Sequence, residues 1–194
     1  EVVAEIGLVI EELAPRLRAR VRADWDVAEL DRLKRALGVP APAGPGLTRR
    51  RVIELLREAT PAGTLAALDV PLAEAWQAVA PHELLVPAGA ATAGFALPAA
   101  LAAALAREDR RVLAIGAAPG IAAMAGELAT AARLGAPVVV IALNQAAATP
   151  GLLERARDAG LAAWAAADER LLGAAFRQAW AAGRPALIDV DVGG

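Results

Sequence analysis

Arg111-Val112-Leu113-Ala114-Ile115-Gly116-Ala117-Ala118-Pro119-Gly120 joins a short apolar run to a Gly-rich loop, and a helical pattern follows over 121–134. Gly135-Ala136-Pro137 then punctuates the chain, and Val138-Val139-Val140-Ile141-Ala142-Leu143-Asn144-Gln145 begins a second apolar run. Strand, turn, helix and strand in this order form the crossover unit of a parallel sheet. The runs at Val112–Ile115 and Val138–Leu143 do not alternate with polar residues. Strands of that kind are buried on both faces, with helices covering each side.

The same rhythm extends outward. Thr64–Val70 and Ala186–Val190 read as further buried strands, and Leu84–Val86 and Ala162–Trp164 as weaker ones. Helical patterns occupy 72–79, 95–106, 152–158 and 168–182. The expected fold class is α/β: three layers, αβα, around a parallel sheet. Ligands in such folds sit beyond the carboxyl ends of the strands at a topological switch point. The loops after residues 70, 86, 115 and 143 are therefore the ones to inspect.

The N-terminal part reads differently. Ile6, Val9, Ile10, Leu13 and Leu17 recur at helical spacing and predict an amphipathic helix over 5–19, bent at Pro15. Asp26 caps a second helix running to Leu37. Gly38–Gly46 (GVPAPAGPG) is a Pro- and Gly-rich linker. Thr48 then caps a helix with Val52, Leu55 and Leu56 on its inner face. The expected organisation is a short helical appendage at 1–37, a linker at 38–47 and the α/β domain at 48–194.

Composition narrows the function classes. The 194 residues are 57% hydrophobic, with mean hydropathy +0.45, which argues against a disordered chain. The net charge of −2 argues against a general nucleic-acid binder. With no cysteine and His82 as the one histidine, disulfides, thiolate catalysis and a multi-His metal site are excluded. Leu84–Ala106 is uncharged and long enough to cross a bilayer, but Pro87 and Pro98 interrupt it. A buried turn and core helix fit it better. The first twenty residues lack the form of a secretory signal, so a cytoplasmic location is expected. A start without Met that leads into an apolar run is what a piece of a longer polypeptide would have.

Taken alone, the loops carry little chemistry. Gly116-Ala117-Ala118-Pro119-Gly120 could cradle an anion, yet it has no Lys, Ser, Thr or carboxylate, and a structural turn is the favoured reading. Asn144 and Gln145 could offer carbonyl oxygens to a hard cation, but Mg²⁺ generally wants a carboxylate as well. His82, in Pro81-His82-Glu83, reads as a solvated turn residue. Glu127 reads as a functional carboxylate or a partner for Arg133. Trp25, Trp76, Trp164 and Trp180 are scattered, as core or interface anchors are.

Several motifs carry a resemblance that these loops do not. Thr92-Ala93-Gly94-Phe95-Ala96-Leu97-Pro98-Ala99-Ala100, Arg111-Val112-Leu113-Ala114-Ile115, Glu127-Leu128-Ala129-Thr130-Ala131, Gly135–Val140 and Leu143-Asn144 follow one another at the family's spacing. Together they resemble the diphosphate-binding domain of thiamine-diphosphate enzymes of the acetolactate synthase and benzoylformate decarboxylase type. Asp69-Val70 with Trp76 resembles the family's first phosphate loop. Gly183–Val190 resembles its last strand, and residues 1–37 resemble the end of the preceding central domain.

The resemblance implies thiamine diphosphate and Mg²⁺ acting on 2-keto acids. It also implies which positions would hold them. The family's Gly-Asp-Gly falls on Ala117, Ala118 and Pro119. Ala118 stands where the metal-binding aspartate would be, and Pro119 replaces a glycine and removes an N–H. Asn144 is kept, but the metal-ligand asparagine is Gln145, the one remaining metal-ligand candidate. Ala93 replaces the bulky residue that props the cofactor. The first phosphate loop reads Pro71-Leu72-Ala73-Glu74, which would place a negative charge near a diphosphate. After Gln145 only a short segment precedes Pro150, where the family has a longer one.

The expectation is therefore a non-catalytic domain that does not bind thiamine diphosphate or Mg²⁺ and serves as a structural or partner-binding part. Its expected partners are a second copy or a pyrimidine-binding domain, which in this family carries the catalytic glutamate; nucleic acid and membrane are not expected. A working 2-keto acid lyase or carboligase domain, completed by a separate pyrimidine-binding domain, is the alternative. A third reading is a sensor whose vacated pocket holds another small molecule.

Overall fold

This computed structural model describes residues 5–18, 26, 28–29, 32–33, 46–69, 72–79, 81–90, 92–107, 109–145 and 149–193. The chain divides into two compact units, Glu1–Pro40 and Ala41–Gly194. The first contains helix α1 (Ile6–Arg18), with Pro15 inside it. Residues 28–29 and 32–33 are helical, and Asp26 Oδ1 accepts from the Glu29 N–H at 3.0 Å, as the expected cap should. The rest of that second helix, Trp25 and residues 38–45 of the linker lie outside the described residues.

The second unit runs α2 (Arg49–Ala59), β1 (Leu65–Leu68), β2 (Leu84–Leu85), α3 (Ala96–Ala106), β3 (Val112–Ala117) and α4 (Ala118–Ala123). It continues through α5 (Ala125–Leu134), β4 (Val138–Gln145), α6 (Leu152–Asp158), β5 (Ala162–Ala166), α7 (Glu169–Ala182) and β6 (Ala186–Val192). The six strands form one sheet, ordered β2-β1-β3-β4-β6-β5, and every pairing is parallel. Leu47, at the end of the sequence-defined linker, is buried and bridged in parallel to Val192.

The sheet separates two apolar layers by the two-residue period of its strands. Leu68, Leu113, Ile115, Val139, Ile141, Ile188 and Val190 face one layer with Val52, Ile53 and Leu56 of α2 and Leu172 and Phe176 of α7. Ala67, Val112, Ala114, Val138, Val140 and Ala142 face the other layer, with α3, α4, α5 and α6. Alanines dominate this second layer at the contact with α3, whose buried residues include Ala96, Ala100 and Ala104. Small side chains on both sides allow helix and sheet to approach closely, which accounts for much of the alanine in the sequence.

Caps set several boundaries, the first of them at the Thr48 that the sequence suggests. Thr48 Oγ1 accepts from the Arg51 N–H at the start of α2, and Asp168 Oδ1 accepts from the Leu171 N–H at the start of α7. Gly135 and Gly183 end α5 and α7 in the left-handed conformation.

Two expected helices differ. The pattern at 72–79 gives one 3₁₀ turn, Leu72–Ala75, rather than a helix. The next residues lose their backbone groups to side chains: Arg57 Nε donates to the Gln77 carbonyl at 2.8 Å, and Glu83 Oε2 accepts from the Val79 N–H at 2.6 Å. The helix expected over 121–134 is two helices. The first begins directly from β3, so the Gly-rich loop is half strand end and half first turn, and Met124 breaks the run at φ −99°, ψ 29°. Among the described residues, no helix is long and apolar enough to cross a membrane. The uncharged stretch 84–106 supplies β2 and the eleven-residue α3.

Candidate functional site

From β1 the sheet extends one way to β2 and the other way to β3, so the switch point lies between the carboxyl ends of β1 and β3. Asp69 follows β1 there. It is 5% exposed, and its carboxylate turns inward rather than toward the crevice. Oδ1 accepts from the Ala96 N–H at 2.9 Å and Oδ2 from the Gly94 N–H at 3.2 Å. Those donors open α3, which has no cap from its own N-cap residue. Asp69 is thus the cap of a helix more than twenty residues away, and its charge suits the positive end of that helix.

Three glycines make this arrangement fit. A Cβ on Gly116 would stand 2.6 Å from Asp69 Oδ2. One on Gly120 would stand 2.7 Å from the Gly94 nitrogen, and one on Gly94 2.9 Å from the Gly120 carbonyl oxygen. The turn before α3 therefore lies backbone to backbone on α4.

The positions singled out by the sequence are gathered at this edge, but their polar groups serve the fold. Ala117 is half-buried, Ala118 is buried with no oxygen to offer, and Pro119 is exposed at the second position of α4 without an N–H. Ala93 is exposed beside Gly94. Buried Asn144 uses both ends of its amide: Oδ1 accepts from the Thr149 N–H at 3.2 Å, and Nδ2 donates to Asp189 Oδ2 at 3.3 Å and to the Thr149 carbonyl at 3.5 Å. It staples the end of β4 to β6 and to the loop ahead of α6. Gln145 is exposed, and its Oε1 accepts from Arg49 Nη2 at 2.5 Å. Val70, Pro71, residues 146–148 and the Glu74 side chain lie outside the described residues.

A Mg²⁺–diphosphate group fits this donor set poorly. Ala118 brings no carboxylate, both amides are engaged within the chain, and no cluster of three His, Asp or Glu capable of holding a metal occurs among the described residues. A cavity of about 140 Å³ at this edge is lined by Asn144, Ala165, Ala166, Asp189 and Asp191, so an anion there would meet like charge.

The other candidates lie elsewhere or play structural parts. His82 is exposed, with φ 64°, at the amino end of β2 and so at the opposite edge of the parallel sheet. Glu127 is half-buried in the first turn of α5, where a carboxylate suits the helix dipole. No ion pair joins it to Arg133 among the described residues. Trp76 is buried beneath the Arg57 guanidinium, 5.5 Å from its ring centre. Trp180 packs on Phe176 at 5.4 Å and under Arg111, and Trp164 packs on the core from β5. The functions of Asp69 and Arg49 are not apparent from the loops alone, although a lone acid directly after a buried strand is a signal for the first.

Asp189 has a titration of its own. Burial holds its carboxyl above the ordinary aspartate value, the Asn144 hydrogen bond pulls the other way, and nearby Asp191 and Glu154 raise it further. A raised carboxyl stabilises the fold below the unfolded value of 3.8 and loses that contribution as pH rises through its folded value. Asp189→Asn keeps an acceptor for Asn144 and removes the charge. The variant is expected to be more stable than its parent at about pH 7 and equal to it at about pH 3, by urea midpoints.

The site thus lies on an all-parallel sheet between two helical layers, with its crevice at the β1/β3 switch point. Residues 67–149 match the family described as thiamine pyrophosphate enzyme, C-terminal TPP binding domain. That segment belongs to this family, as its motifs imply. The chain is 31% identical over 150 residues to the acetolactate synthase isozyme 1 large subunit of Escherichia coli K12, covering 74% of this chain and 26% of that protein. A thiamine diphosphate-dependent 4-hydroxybenzoylformate decarboxylase of Rhodococcus jostii RHA1 superposes with TM-score 0.69 at 25% identity, over 80% of this chain and 34% of that one. Benzoylformate decarboxylase of Polynucleobacter necessarius gives TM-score 0.69 at 17% identity, over 80% and 35%, a likeness of fold. The chain thus spans about a quarter of the synthase subunit and a third of each decarboxylase.

Proposed function

We propose that the α/β unit is a cofactor-free homologue of the diphosphate-binding domain and serves as a structural or partner-binding domain. One observation carries this reading: at the ends of β3 and β4, the positions matching the family's ligands offer Ala118, Pro119 and two amides already bonded within the chain. A diphosphate and its metal would lose their carboxylate and one N–H donor. Removing one partner from a buried charged contact costs about 2–5 kcal/mol. Each 1.4 kcal/mol is about tenfold in affinity, so binding falls by about one to four powers of ten.

The test is a thermal-unfolding titration of the full chain with thiamine diphosphate, with Mg²⁺ and with both together. A ligand at about 100 times its Kd adds about 2.7 kcal/mol to stability, a shift of several degrees in a domain of this size. No shift in any arm is the expected result. A saturable rise that needs both components overturns the proposal and favours a working 2-keto acid lyase or carboligase domain completed by a pyrimidine-binding domain.

A further inference from the structure

At the amino ends of β5 and β6, on the edge of the sheet opposite the switch point, the α/β unit holds a cavity of about 370 Å³. Ala132, Leu161, Ala182 and Pro185 give it apolar walls, and Arg157 and Arg184 line it with charge. No carboxylate lies among its lining residues. Both arginines are exposed, and each is placed by the sheet. Arg157 is in the last turn of α6, which leads into β5, and Arg184 follows α7 and leads into β6. The two strands are paired, with Ala162 opposite Ala186.

Arginines near helix carboxyl ends commonly serve those ends, and α5, α6 and α7 all end around this cavity. Here α5 and α6 are closed without them. The Gly135 N–H donates to the Ala132 carbonyl at 3.1 Å and the Ala136 N–H to the Ala131 carbonyl at 3.0 Å. The Gly160 and Leu161 N–H groups donate to the Arg157 and Ala156 carbonyls, both at 2.9 Å. Arg157 Nη2 donates to the Ala163 carbonyl at 3.1 Å, a bond that uses one of the five N–H groups of its guanidinium. Arg184 makes no hydrogen bond or ion pair among the described residues. Each helix end contributes about half a negative charge, spread over its last turn, against two whole positive charges on side chains that reach a ligand directly.

We infer that this cavity is a binding site for a small oxyanion-bearing molecule, a carboxylate or a phosphate held by Arg157 and Arg184 with a short apolar body against Leu161 and Ala182. The planar fork of a guanidinium matches two oxygens of either group. Small-molecule sites occupy about 300–1,000 Å³, and this one lies at the lower end, which suits a compact molecule. The cavity is remote from the positions that match the family's ligands, so the inference stands or falls separately from the cofactor reading.

The test is an NMR titration of the full, nitrogen-15-labelled chain with inorganic phosphate and, separately, with propionate, at constant ionic strength. Saturable shifts of the Gly135, Gly160 and Ala162 amides are expected with at least one of them. Saturation by phosphate alone identifies a phosphate-bearing ligand, by propionate alone a carboxylate, and by both the oxyanion they share. Arg184→Gln should weaken binding about tenfold or more. Because Arg184 bonds nothing in the fold, that variant should keep the parent's spectrum elsewhere. Arg157→Gln should weaken binding likewise. Arg170→Gln removes an equal charge from the first turn of α7, at the other end of the helix, and should leave binding unchanged. A cofactor at the switch point would instead move the Gly94 and Gly116 amides, so failure of either reading shows separately. Three results overturn the inference: no saturable shift at the cavity amides with either anion, unchanged affinity in Arg184→Gln, or equal weakening by Arg170→Gln.

Discussion

Asp69→Ala is expected to lower the unfolding free energy by about 3–5 kcal/mol, read as a shift in urea midpoint at unchanged slope. The reason is the state of the two donors left behind. The Gly94 and Ala96 N–H groups both end on this carboxylate, the two bonds are buried, and α3 has no cap of its own. An orphaned buried donor costs about 1–3 kcal/mol, and here two are orphaned together at the positive end of a helix. Asp69→Asn separates charge from shape. It keeps one acceptor oxygen but turns an NH₂ toward the other donor, so about half of the loss is expected to remain. If Asp69→Ala costs less than about 1 kcal/mol, the carboxylate is not what ties the turn before α3, and the closed crevice loses its main support.

Chemistry local to each segment made much of this fold legible. The β3–β4 crossover is written in two apolar runs, and α6 and α7 are bounded by Gly151, Asp168 and Gly183, each at a position where a cap or turn requires it. The parts that were not legible depend on residues meeting across the chain. The pattern at 72–79 is helical in isolation, but Arg57 and Glu83 take its backbone groups. The break at Met124 occurs where α4 packs on the turn at Gly94, about thirty residues earlier in sequence. The same division holds at the site. Ala118, Pro119 and Gln145 stand out because family spacing says what those positions should hold. The Asp69, Arg49–Gln145 and Asn144–Asp189 contacts span 27, 96 and 45 residues, and no local pattern announces them.

Gly94→Ala is the second large effect, and it measures whether the crevice is closed. Gly94 has φ +84°, where a residue with a Cβ is strained by about 1–2 kcal/mol. If the space before it were open, that would be the whole cost. Here the added methyl would also stand 2.9 Å from the Gly120 carbonyl oxygen and 3.0 Å from Met124 Cγ. The methionine can give way, but the carbonyl belongs to α4 and can move only with the helix. Overpacking of that kind adds about 1–3 kcal/mol, so the expected total is about 2–5 kcal/mol. Gly126→Ala is the matched control, because a Cβ there meets nothing within 4 Å and its φ is not positive. At the second position of α5 it should change stability by less than about 1 kcal/mol. A Gly94→Ala cost of about 1 kcal/mol would mean that the turn and α4 stand apart, leaving room at the switch point for a ligand. A cost of about 3 kcal/mol or more would mean that backbone already fills that room, which is the condition the cofactor-free reading requires.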